Sequence, residues 1–204
     1  MAAAIELADE SGLEGLTMRA LGQRLGVEAM TLYYHVGRKD DLLAGLTDTV
    51  VAEFALPSAT GDWKTELRLA AISAHEVLIR HPWAARLVLS GPGVSGARLR
   101  HINATLGCLR GAGFSADLTD HAYHALDSHI MGFTLWVVGM NLGSADDLRS
   151  MASDFLGSIP REELPHLAEH VEQHLKPSDP DAESEFVFGL DLILEGLERR
   201  LASA

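Results

Sequence analysis

One cysteine, Cys108, is too few for an internal disulfide, and no secretory pattern precedes the first helical stretch, so the sequence points to a reducing cytoplasm. Long apolar runs are missing. The longest, Ile130 to Leu142, falls short of the roughly 20 residues a membrane-spanning helix needs and reads as a buried helix. No HExxH pattern, CxxC pair, nucleophile elbow or Ser-His-Asp order is present, which leaves hydrolase and metalloenzyme readings without their residues, and nothing calls for a metal or a cofactor. Basic residues are scarce: 16 Lys and Arg stand against 29 Asp and Glu, a net charge of −13 that taken alone disfavours a nucleic-acid partner. Internal repeats and low-complexity tracts are absent. What remains is an ordinary globular chain of 204 residues, with room for one small domain and one of roughly 150 residues.

The acidity is not evenly spread. Between Thr17 and Lys39 the basic side chains Arg19, Arg24, Arg38 and Lys39 face Glu28 alone, and His35 adds partial charge. A local excess of this kind on an acidic protein suits a focused phosphate footprint with weak nonspecific binding elsewhere. The same segment reads LTMRALGQRLGVEAMTLYYHVGRKDDLL from Leu16 to Leu43, two short helical patterns joined by Gly26-Val27. Thr17 stands at an N-cap position, and Leu21 and Leu25 follow one turn apart on a single face. Gly26 suits a left-handed C-cap because it has no Cβ, and Val27 is placed to tuck into the turn. In the second helix Leu32 points inward. Met30 and Tyr34 therefore point out, flanked by Ala29, Thr31 and Tyr33. An exposed apolar and aromatic cluster on a short helix is costly unless something covers it, and groove walls, thymine methyls and phosphates do so in a helix-turn-helix.

Beyond residue 54 the sequence reads as helices between breakers. Trp63 to Leu78 ends near His81-Pro82, Trp83 to Leu89 ends at Gly91-Pro92-Gly93, and Arg98 to Arg110 stops at Gly111 and Gly113. Leu118 to Asn141 makes a long central helix. After a polar stretch, Pro165 to Lys176 makes another, followed by a loop at Pro177-Ser178-Asp179-Pro180. The last helix puts Phe186, Leu190, Ile193, Leu194, Leu197 and Leu201 on one stripe, with Arg199 and Arg200 complementing the dipole at its end. Periodicity alone leaves two uses for that stripe, closing the core or pairing with a second copy. Trp83, His101, Phe133, Trp136 and Met140 are candidates for a pocket lining. His121, His124, Asp127 and His129 share one stretch, and two of them at i, i+3 would be half of a metal site, but the blander reading is a polar pocket or subunit surface. Gly91 to Gly96 formally matches GxGxxG, with Leu87-Val88-Leu89 before it as a possible strand. That is the best case for an alternative, a small-molecule-binding enzyme, but no other β-branched run at βαβ spacing supports it.

The segment from about Ala4 to Phe54, with its EGLTMRALGQRLGV and TLYYHVGRKDDLL stretches, resembles the DNA-binding domain of the tetracycline-repressor (TetR) family of bacterial transcription regulators. GDW at residues 61 to 63 and the closing EFVFGLDLILEGLERRL extend the likeness to the C-terminal domain. The resemblance implies an all-α fold, with a three-helix helix-turn-helix domain at residues 1–54 and a larger effector-binding and dimerisation domain at residues 55–204. It implies a homodimer that binds a palindromic double-stranded operator and leaves it when a small-molecule effector enters the larger domain. Two reading helices must then stand about 34 Å apart, which tips Phe186, Leu190, Ile193, Leu194 and Leu197 toward a dimer interface. Position by position, Arg19 falls on a groove or phosphate contact beside Thr17. Ala29, Met30 and Thr31 fall on base-reading positions, and Tyr33, Tyr34, His35 and Lys39 on phosphate-clamping ones. Ala29 and Met30 have no hydrogen-bonding side-chain groups, so discrimination should rest on thymine methyls, shape and Arg19. The run-in before the first helix is short and carries no basic residue, so either the true start lies upstream or the basic arm is absent, and in the second case affinity should be lower and its salt slope shallower. Around the pocket Ala70 and Ala74 make tetracycline itself a poor fit.

Overall fold

The computed structural model describes residues 1–91, 95–140, 145–176 and 184–203. They contain eleven helices and no strand: α1 Ala2–Gly15, α2 Met18–Leu25, α3 Ala29–Val36, α4 Lys39–Val51, α5 Trp63–Arg80, α6 Pro82–Ser90, α7 Gly96–Gly111, α8 Ala116–Gly139, α9 Ala145–Ser158, α10 Pro165–Gln173 and α11 Glu185–Ala202. Two compact units result, one of Met1–Leu135 with Glu185–Ala204 and one of Trp136–Ser184, so their boundary falls inside α8. Among the described residues no helix is long and apolar enough to cross a membrane. The loop at Pro177 to Pro180, residues 92–94 and Asn141 lie outside the described residues.

In the larger unit the turn between α2 and α3 is set by two glycines. Gly26 sits at φ 69°, ψ 27°, a left-handed cap, and the Val27 N–H donates back to the Gly22 carbonyl at 3.0 Å. Gly22 is where the helices touch: a Cβ there would lie 2.8 Å from the Val27 oxygen and 3.3 Å from the Ala29 nitrogen. Thr17 caps α2 as its position predicts, accepting from the Ala20 N–H at 3.1 Å. Leu16, Met18, Leu21 and Leu32 enter the core with Ala4, Ala8, Leu42 and Leu46. Leu25 and Val27 do not follow expectation and stay 49% and 40% exposed, because the buried stripe of α2 ends with the helix at its left-handed cap.

The head formed by α1 to α4 is fixed to the rest of the unit at several points. Asp9 Oδ1 on α1 accepts from His81 Nδ1 at 2.8 Å and from Trp83 Nε1 at 2.7 Å, at the joint between α5 and α6. Glu53, just beyond α4, stands 3.7 Å from the other ring nitrogen of His81. Asp48 on α4 accepts the Ala97 N–H at 2.6 Å in the first turn of α7, while Ser95 caps the Arg98 N–H of that helix at 3.1 Å. α4 packs on both α6 and α7.

The last helix corrects one expectation. Phe186, Leu190, Leu194 and Leu197 are buried within the single chain, and Ile193 is half-buried against the same core. The four buried ones leave almost no surface for a second copy, while Ile193 keeps part of its own. α11 packs on α5, with His75 of α5 stacked on Phe186 at 4.0 Å and Ala71 and Ala74 in the same core. Lys64–Glu198 at 2.7 Å and Arg68–Asp191 at 2.8 Å tie the edges of that contact. The exposed apolar residues of α11 are Phe188 and Leu192. A second correction concerns residues 145–158: the polar stretch of the sequence is helix α9, which packs with α10 around Ala152, Ile159, Ala168 and Val171 in the smaller unit.

Candidate nucleic-acid interface and effector cavities

α3 presents the candidate reading surface. Leu32 anchors it from beneath, while Met30 and Tyr34 are 68% and 87% exposed on the other side. Tyr33, Thr31 and His35 are exposed beside them, and Ala29 is half-buried against Gly22 and the core. Arg19 on α2 and Lys39 at the start of α4 are exposed too, on the helices that precede and follow α3. The exposed residue Thr17 is the exception in kind, since its hydroxyl is engaged in capping α2.

The local charge is smaller than the sequence count. Arg24 reaches both carboxylate oxygens of Glu10 at 2.6 and 2.7 Å, which ties α2 to α1 and commits that cation inside the protein. The hydrogen bond to Glu10, first of all, holds the Arg24 pKa above its usual value. The Arg38 N–H donates to Asp41 Oδ2 at 2.8 Å and starts α4, leaving the Arg38 side chain exposed.

Each unit holds a cavity of ligand size. The first, of about 380 Å³, lies between α4, α6 and α7 and is lined by Thr47, Val51, Leu87, Val88, Leu89, Gly91, Ser95, Arg98 and Ile102. Thr47 is buried, and its hydroxyl donates to the Leu43 carbonyl at 2.8 Å. Arg98 Nη2 donates to both oxygens of Asp127 on α8, at 2.9 and 3.1 Å. The second cavity, of about 410 Å³, is lined by Trp136, Met140, Met151, Ala152, Phe155, Leu167, His170, Val171 and His174. It is almost wholly apolar apart from its two imidazoles.

The five residues expected to line one pocket are dispersed. Trp136 and Met140 line the second cavity. Trp83 is buried at the joint with α1, bound to Asp9, and lines neither cavity. His101 packs edge-on against Phe54 at 5.5 Å, and Phe133 meets Phe186 at 5.6 Å. The first cavity escaped sequence reading because its walls come from three helices some fifty residues apart and are mostly plain aliphatics.

His75 and His129 serve the interior, while His121 and His124 are exposed. His75 stacks on Phe186 at 4.0 Å and hydrogen-bonds Thr134 Oγ1 at 2.8 Å. The Thr134 hydroxyl already donates to the Ile130 carbonyl, so His75 Nδ1 is the donor in that bond. Burial, and then neighbouring His129, push its pKa down from 6.5 to about 4. His129 Nε2 donates to the Phe186 carbonyl at 2.9 Å, His124 stands 3.5 Å from Asp120, and Asp127 belongs to Arg98. No group of three metal-ligating side chains occurs among the described residues. The GxGxxG reading needs a strand before its loop, yet Leu87 to Leu89 are helical in α6; Pro92, Gly93 and Val94 lie outside the described residues.

A helix-turn-helix with an exposed reading helix, carried on a helical body with cavities of ligand size, defines a DNA-binding regulator. Comparison with known proteins gives the family. Residues 1–46 match the bacterial regulatory proteins of the tetR family, and residues 56–201 match the tetracyclin repressor-like C-terminal domain. The tetracycline repressor protein class D of Escherichia coli is 33% identical over 204 residues, covering 98% of this chain and 88% of that protein. An HTH-type transcriptional regulator of Saccharopolyspora erythraea is 31% identical over 164 residues, 76% of this chain and 70% of the relative. Among solved structures, a possible TetR family transcriptional regulator from Streptomyces coelicolor A3(2) has a TM-score of 0.79 at 28% identity, covering 98% of this chain and 97% of its own. The Streptomyces coelicolor TetR family protein ActR in complex with (S)-DNPA has a TM-score of 0.74 at 26% identity, over 100% and 95%. This chain belongs to the tetR family of bacterial transcription regulators.

Proposed function

We propose that the chain is a repressor: as a homodimer it holds a palindromic duplex operator through α3, and a small molecule entering the α4–α6–α7 cavity releases it. Residues 1–54 read the DNA, and residues 55–204 take the effector and dimerise, in the compartment that holds the chromosome. The observation that carries the reading is the α3 surface, where Met30 and Tyr34 stand exposed beside Tyr33, Thr31 and His35 in a protein of net charge −13. Acidic walls elsewhere discourage nonspecific contact, while Arg19, Arg38 and Lys39 keep a phosphate footprint beside the reading helix.

The ligand-bound structure of ActR supports an effector in this fold. Within this chain, α4 supplies Thr47 and Val51 to the first cavity while its other end abuts α3, so a ligand there touches the element that carries the head. Such a ligand shifts DNA binding only by its differential affinity for two packings of α4 against α6 and α7. For dimerisation the exposed apolar pair Phe188 and Leu192 on α11 replaces the buried stripe as the contact.

The test is selection of binding sites from a random duplex library at low ionic strength, followed by titration of the selected duplex. A palindromic site bound by the parent protein, and lost in a Met30→Ala/Tyr34→Ala variant of unchanged stability, is the expected result. Absence of any selected site, or unchanged binding by the variant, refutes the reading.

A further inference from the structure

We propose that the molecule taken by the α4–α6–α7 cavity carries an anionic oxygen, a carboxylate or phenolate on an apolar frame, and that Arg98 reads it. The inference rests on the effector reading above and names the ligand class of that site. Val51, Leu87, Val88, Leu89 and Ile102 make the frame's bed, in a volume of about 380 Å³ that suits a bicyclic ring system or a medium-length alkyl chain. Among the described lining residues the single charged side chain is Arg98; no carboxylate lines the cavity.

Arg98 is largely buried, with 14% of its side chain exposed, and is held in place by one nitrogen. Nη2 makes both contacts to Asp127, an end-on arrangement rather than the two-nitrogen fork that a guanidinium offers a carboxylate. The donors on Nε and Nη1 are therefore not spent on Asp127. The Tyr123 hydroxyl interacts with the same guanidinium, and burial, then Asp127, raise its pKa, so it stays a neutral hydroxyl. One turn along α7, His101 has Nε2 buried without a hydrogen-bond partner among the described residues. Burial, and then Arg98, lower the His101 pKa, so its ring is neutral and adds no competing charge. In the first turn of α7 the Ala97 and Arg98 N–H groups are already taken, by Asp48 and Ser95.

Asp127 is thus an internal competitor for the cation. A ligand oxyanion engages the donors that Asp127 and the Tyr123 hydroxyl leave, and gains a charge-assisted hydrogen bond from a guanidinium only 14% exposed, whereas a neutral isostere meets an ion pair already balanced. Weakening the competitor should then tighten an acid and leave its amide unchanged.

Calorimetric titration of the full chain with two matched pairs, 2-naphthoate against 2-naphthamide and decanoate against decanamide, tests this. At least one acid should bind tenfold or more tightly than its amide. Asp127→Asn should strengthen the acid severalfold, Arg98→Met should erase the preference, and Val88→Trp, which fills the cavity, should abolish binding. Asp127→Asn keeps the test decisive if Arg98→Met does not fold. Equal affinity within both pairs, no binding of any probe, or an acid preference unmoved by either variant overturns the assignment. If an amide binds as well as its acid, is blocked by Val88→Trp and releases DNA, the cavity is the effector site but the anionic class is wrong. If an acid binds through Arg98 and leaves DNA affinity unchanged, the ligand class stands and the effector reading falls.

Discussion

Replacing Asp48 by alanine separates two roles that one hydrogen bond combines. Its carboxylate accepts the Ala97 N–H at 2.6 Å, so it both caps α7 and ties α4 to it. Leaving that part-buried N–H unpaired costs about 1–3 kcal/mol. Removing a negative charge from a helix N-terminus adds about 0.3–1 kcal/mol. A loss near 2 kcal/mol is therefore expected, on the order of the charge-assisted bond itself. Ser95→Ala is the matched control, because Ser95 caps the next N–H of the same turn at 3.1 Å from within its own loop, at a typical cost of about 1 kcal/mol. Both variants should lower the denaturant midpoint. Only Asp48→Ala loosens the head, which must then be re-ordered on DNA. An ordering cost of about 1 kcal/mol weakens binding roughly fivefold. Denaturation gives the first quantity, and fluorescence anisotropy on the selected duplex gives the second. Equal effects of the two variants on DNA affinity, or none from Asp48→Ala, would refute the idea that this bond holds the head in place on α7.

Three further outcomes follow from the same geometry. Tyr34→Ala, at an 87% exposed position, should change stability by less than about 0.5 kcal/mol yet weaken duplex binding about tenfold, as read by melting and anisotropy together. On α11, Phe188→Glu with Leu192→Glu should leave a folded monomer in light scattering, whereas Leu190→Ala, at a fully buried site, should destabilise by about 3 kcal/mol. The lowered pKa of His75 means that the unfolded chain binds its proton more tightly than the folded one. Its contribution is complete above the ordinary value of 6.5 and is lost as the pH falls toward about 4. For a part-exposed ring, solvent screening reduces the loss to about 1–2 kcal/mol, and His75→Phe should flatten this part of the stability profile.

The helix-turn-helix was legible in the sequence because its signals are local: an N-cap at Thr17, a left-handed glycine at Gly26 and a single inward Leu32. Residues whose fate depends on distant partners were not. Arg24 counts as a surface cation until Glu10 is known to lie beside it. The stripe from Phe186 to Leu197 is real, but periodicity names a face and not its cover; the cover is α5 of the same chain. With Phe188 and Leu192 opposite, α11 is apolar on two faces, and either face alone would fit one stripe. Helix α9 was hidden by its aspartates, serines and glycine, which dilute the signal of Met151, Phe155 and Leu156. Of the residues expected in a pocket, Trp136 and Met140 do line one, while the cavity touching α4 required three separate helices to be brought together.

Asp9 uses one oxygen to hold both His81 and Trp83. Neither donor can shift without dragging the same atom, so any movement at the start of α6 is delivered to α1 at once, while α4 receives it through its own packing on α6. A load shared between two mounts turns the three-helix head as a block and leaves its internal turn, set by Gly22 and Gly26, undistorted. On the proposed function, release from DNA should then come from misalignment of an intact reading surface, with amide exchange within α2 and α3 the same whether the cavity is filled or empty.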